Sequence, residues 1–116
     1  MNMEEIRSIC NSFPAVTEDV KWENDLVFSV GSKMFFVAGI NQSPVSASFK
    51  VTDDTFDEMC DREGFKPAPY LARYNWIWIN DIARMSRIEC EKYIRQSYTL
   101  VKQKLPLKIK KQLGIE

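Results

Sequence analysis

Tyr70, Tyr74, Trp76 and Trp78 fall within nine residues, with Lys66 and Arg73 alongside them. Aromatic rings next to cationic side chains stack bases and pair phosphates. The same rings also bridge a loop to a sheet in an ordinary small core. Two further cations, Lys33 and Lys50, sit on predicted strands. A second group is acidic: Asp54, Asp57, Glu58 and Asp61 lie on neighbouring turns of one predicted helix face. Such carboxylates can hold a hard cation weakly, and a solvated helix face has the same pattern. The chain has no histidine, the commonest general base and metal ligand. It has no glycine-rich phosphate loop, no zinc-protease motif and no nucleophile elbow. Cys10, Cys60 and Cys90 are widely spaced, odd in number and free of any C-x-x-C pattern. They read as buried apolar residues of helices, since a nucleophilic thiol needs an activating base nearby. The expectation is therefore a binding protein, with no catalytic residues, no metal and no cofactor.

Three predicted helices and a sheet must position these groups. Asn2 and Glu5 fit a capping box, and Ile6, Ile9, Cys10 and Phe13 form one helical stripe, so a helix spans about residues 3–13 and stops at Pro14. Residues 26–50 switch to period two. Leu26, Phe28 and Val30 share a face, Gly31-Ser32 reads as a type II′ hairpin turn, and Met34, Phe36, Ala38 and Ile40 continue the apolar face. After a turn at Asn41–Pro44, Val45, Ala47, Phe49 and Val51 alternate with Ser46, Ser48 and Lys50. A short strand near Val20–Trp22 is expected ahead of this meander. The face away from the helices is expected to carry Lys33, Phe35, Val37, Ser46, Ser48, Lys50, and Trp76 or Ile77.

Thr52-Asp53 opens a second helix to about residue 62, with acidic residues suited to its N-terminal dipole. The prolines in Lys66–Tyr70 force extended backbone. Trp76–Asn80 is a fourth main strand. Ser86 and Glu89 form an S-x-x-E capping box for a long helix to about Leu105. Its buried seam is Cys90, Ile94, Ser97, Val101 and Leu105. Pro106 interrupts it, and Ile109–Leu113 makes one more turn before Gly114. Hairpin-linked strands with helices over one face make an α+β two-layer sandwich with an antiparallel sheet.

The chain has 116 residues, which implies one domain over 1–116. No apolar run reaches the length of a membrane helix, and the N-terminus shows no secretory leader. With unpaired cysteines, this predicts a cytoplasmic protein. Net charge is zero but unevenly spread: residues 1–65 carry twelve acidic and five basic groups, and residues 66–116 carry four and eleven. Lys102, Lys104, Lys108, Lys110 and Lys111 concentrate the positive end. This is a solubilising tail or an anion-binding face.

Several stretches together resemble a known family. They are Phe13-Pro14 followed by Val16-Thr17-Glu18; Trp22 ahead of Leu26–Val30; Gly31–Phe35; Ser48-Phe49-Lys50; Lys66–Leu71 with Trp76 after it; and Ser97-Tyr98 with Lys104-Leu105-Pro106. In this order, over nearly the whole chain, they resemble the MmcQ/YjbR family of small bacterial proteins. The resemblance implies a frataxin-like (CyaY-like) fold and the label "double-wing DNA-binding", with wings here at Gly31-Ser32 and Asn41–Pro44. It implies no catalytic residues. The nucleic-acid contacts expected on this reading are Lys33, Lys50, Lys66, Arg73 and Tyr74. The competing expectations are a protein- or peptide-binding module using the open sheet face, and a metal handler by analogy with frataxin's acidic ridge.

Overall fold

The computed structural model describes residues 2–41 and 43–116. Helix α1 (Met3–Asn11) starts where the Asn2 side chain accepts a hydrogen bond from the Glu5 N–H, and it buries Ile6, Ile9 and Cys10. Four strands follow as a meander: β1 (Val16–Lys21), β2 (Asp25–Val30), β3 (Lys33–Gly39) and β4 (Ala47–Lys50). Helix α2 (Asp53–Cys60) leads to β5 (Phe65–Pro67), a 3-10 turn (Ala72–Tyr74) and β6 (Trp76–Ile79). A second 3-10 turn (Ile82–Arg84) precedes α3 (Arg87–Gln103) and α4 (Leu107–Leu113). The sheet order is β1-β2-β3-β4-β6-β5, antiparallel at every pairing. The α+β sandwich and the antiparallel sheet stand as expected. The first strand runs over Val16–Lys21 where a short one near Val20–Trp22 was expected, and the three-residue β5 is an edge strand that the residues alone had not indicated.

Register separates the two faces. Phe28, Phe36, Phe49 and Ile77 lie opposite one another across four strands, and all four are fully buried. Phe36 and Phe49 stack with centroids 5.9 Å apart. Ile6, Cys10, Met59, Cys90, Ile94 and Tyr98 from the helices join the same core. The next register row, Val27, Val37, Ser48, Trp78 and Lys66, belongs to the opposite face.

Two expectations about the β2–β3 hairpin are corrected. Gly31 and Ser32 both have positive φ (57° and 65°), the pattern of a type I′ turn rather than II′. More consequentially, Phe28 pairs with Phe36 but Ser29 pairs with Met34, which leaves Phe35 as the extra residue of a β-bulge. Strict alternation places Phe35 on the open face. The bulge shifts the phase by one, so Phe35 and Phe36 are both fully buried, and the Phe35 ring meets Phe13, Phe28 and Tyr98.

Beyond the Phe36–Phe49 pair, β3 and β4 are bridged by a side chain. The buried Ser97 hydroxyl donates to the Phe35 carbonyl (2.5 Å) and accepts from the Lys50 N–H (2.9 Å). Helix α3 thus supplies the hydrogen bonds where the two strands part.

Candidate functional site

Three segments meet at that end of the sheet: the start of β3, the end of β4 with the start of β6, and the C-terminal end of α3. The β2–β3 turn is held against the last of these, because a Cβ at Gly31 would lie 2.7 Å from Leu105 Cδ1. Between them lies a cavity of about 460 Å³. Its walls are Met34, Leu71, Trp76, Val101 and Leu105, and its cations are Lys33, Lys50 and Lys104. No carboxylate lines it. Among the described residues, none of the three lysines has an ion-pair partner.

Lys50 departs from expectation. It follows the alternation onto the same side as Trp76, its register partner, but only 9% of it is exposed. Its ammonium donates to the Tyr74 carbonyl at 2.6 Å. Burial lowers its pKa below the ordinary lysine value, Lys104 lowers it further, and Asp53 opposes the shift. Lys50 is therefore not an open surface cation.

Of the other expected contacts, Lys33 is exposed and Tyr74 is 47% exposed, and both line the cavity. Arg73 stands over the Tyr74 ring at 4.8 Å, beside the cavity. Lys66 lies elsewhere: on β5 it covers the half-buried Trp78 ring at 4.6 Å. The fold thus gathers Lys33, Lys50 and Tyr74, keeps Arg73 adjacent and separates Lys66. Sequence reasoning missed Lys104 and Leu71 as members. The signal for Lys104 was its place between the seam of α3 and Pro106. The first wing, at Gly31-Ser32, borders the cavity. The second, Asn41–Pro44, contains Gln42, which lies outside the described residues.

None of the three cysteines lines this cavity. Cys10 and Cys90 are buried, and burial raises both thiol pKa values, Cys90 to about 11. Cys60 is half-buried rather than fully buried, and burial, Asp57 and Asp61 raise its pKa. Among the described residues no group of three or more acidic or cysteine side chains is placed to hold a metal. No helix among them is long and apolar enough to cross a membrane.

A small α+β domain with a bulged meander, a long covering helix and a cation-rimmed cavity at one sheet end is the class this geometry defines. The YjbR family model matches residues 11–100, and the chain belongs to that family. No curated protein gives a significant match. Among solved structures, the chain is similar to a Deinococcus radiodurans protein with the DUF419 domain: 24% identity, TM-score 0.88, covering 99% of this chain and 89% of that one. It is also similar to a Pseudomonas syringae protein, at 19% identity and TM-score 0.68, covering 87% of this chain and 99% of that one. At these identities the likeness establishes the fold.

Proposed function

We propose that this YjbR-family protein is a non-catalytic, cytoplasmic module that binds nucleic acid weakly and with little regard to sequence. The observation that carries this reading is the gathering of Lys33, Lys50 and Lys104 at one end of the sheet with no carboxylate among them. Arg73 and the half-exposed Tyr74 extend that positive surface with a ring for stacking. The contact set is revised by burial: Lys33, Lys104 and Arg73 face phosphates around the cavity and Lys66 does so apart from them on β5, while Lys50 supports the local field from inside. High thiol pKa values and the absence of histidine support the non-catalytic part.

The competing use of the open sheet face for a peptide has less support. Phe35, one of its expected apolar members, is in the core, and Lys66 covers Trp78.

Four phosphate contacts imply a log–log salt slope of about −3 to −4 for duplex DNA and dissociation constants of roughly 10⁻⁴ to 10⁻⁶ M. Arg73→Ala and Lys104→Gln should each weaken binding to all sequences alike and reduce the slope by about one. Absence of binding to duplex and single strand at low salt refutes the reading. Loss of binding only on deletion of residues 107–116 reassigns it to the lysine-rich end.

A further inference from the structure

The cavity holds a feature that phosphate contacts on its rim do not use: a largely buried lysine, Lys50, set among apolar walls. We propose that this cavity binds a small organic anion with an apolar body, its carboxylate meeting Lys50 and Lys104 and its body lying against Trp76, Leu71 and Leu105.

The argument starts from Lys50. An ammonium has three donors and no acceptor. Among the described residues, Lys50 Nζ has one acceptor, the Tyr74 carbonyl, and no carboxylate at ion-pair distance. A charge withdrawn from water is costly unless paired, and removing it costs more when a second cation, Lys104, lies close enough to act on it. An anion entering the cavity offsets both costs at once. The depressed lysine pKa agrees with this: burial and the nearby Lys104 outweigh the opposing pull of Asp53.

The shape and lining then select the ligand. About 460 Å³ falls within the roughly 300–1,000 Å³ of small-molecule sites. Apart from the lysines, the polar side-chain groups of the lining among the described residues are the Tyr74 hydroxyl and the Trp76 indole N–H; no side-chain amide, carboxylate or serine or threonine hydroxyl contributes. A nucleobase placed here would leave most of its ring-edge donors and acceptors unpaired, at a desolvation cost. A hydrocarbon or plain ring system has no such groups and gains by burial against Trp76, which is 5% exposed, and Leu105. The site therefore differs in ligand chemistry from the outer phosphate-facing surface, and the inference does not rest on nucleic-acid binding.

The test uses the full-length chain at low ionic strength and three ten-carbon probes: decanoate, decanol and decyltrimethylammonium. Calorimetry and tryptophan fluorescence follow binding. Decanoate should bind with one saturable site, decanol at least about tenfold more weakly, and the cation without saturation; a hydrogen-bonded charge is worth about that factor. Lys50→Met should reduce decanoate affinity about tenfold while leaving decanol unchanged. Methionine keeps the buried stem, and an apolar replacement of a buried charge is commonly tolerated. Lys104→Gln, at the end of α3, provides a second variant whose folding does not depend on burial. Equal affinity for decanoate and decanol, no saturable decanoate binding, or indifference of decanoate to both variants overturns the proposal. The two readings separate in the same samples: Arg73→Ala should weaken DNA and leave decanoate unchanged, and Lys50→Met should weaken decanoate far more than DNA, since Lys50 acts on phosphates only through the local field.

Discussion

Replacing Ser97 by alanine tests the junction on which both the sheet and the cavity depend. The hydroxyl is fully buried, donates to Phe35 O at 2.5 Å and accepts from Lys50 N–H at 2.9 Å. Alanine removes both bonds and leaves two backbone groups facing a methyl. Each stranded buried group costs about 1–3 kcal/mol, so the pair costs about 2–6 kcal/mol. The missing oxygen also leaves a small void, a minor addition. At this chain length the loss corresponds to a fall in Tm of about 10 °C or more. Urea denaturation should show the lower midpoint with an unchanged slope, because the surface exposed on unfolding is the same. Hydrogen exchange at the Lys50 amide should accelerate more than at amides in the centre of the sheet. The control is Thr99→Ala, exposed on the same helix, which should change stability by no more than about 0.5 kcal/mol. If Ser97→Ala is as mild as the control, β3 and β4 close the gap by themselves, and the bridge is not what holds the strands to α3.

The cysteines and the wing turn give two further predictions. In native protein at pH 8, a thiol reagent should label Cys60 first, with Cys10 and Cys90 slow; raised pKa values leave little thiolate at any of them, and only Cys60 is partly open. In denaturant all three should react fast, and rapid native labelling of Cys10 or Cys90 contradicts the packing. Gly31→Ala should destabilise by about 1–3 kcal/mol, since its φ of 57° is unfavourable for alanine and the new methyl group meets Leu105. A neutral result in thermal unfolding would mean the turn is not clamped to the α3–α4 junction.

Much of the architecture was legible from local chemistry. The Ser86–Glu89 capping box does form, with both reciprocal bonds, at the start of α3. The seam Cys90, Ile94, Ser97, Val101 and Leu105 is buried throughout, because helical period and apolarity coincide there. The β1 strand was harder to see. It is an edge strand, exposed along most of its length, so no alternation marks Val16–Lys21. Its hairpin turn uses positive φ at Trp22 and Glu23, residues that carry no turn signal.

What the sequence by itself determined is the helices and the main strands, the face each helix buries, and a surplus of cations in the C-terminal half. These follow from period, capping and composition, which act between near neighbours. Tertiary structure decided the site. The bulge at Phe35 depends on how β2 and β3 pair, and it reverses the face of one of the largest side chains. The burial of Lys50 depends on Tyr74, 24 residues away in the chain, and on Ser97, 47 residues away. The company it keeps with Lys33 and Lys104 depends on where α3 ends against the sheet. Period and composition cannot encode those distances, because they arise only when separate elements pack into one close-fitting core.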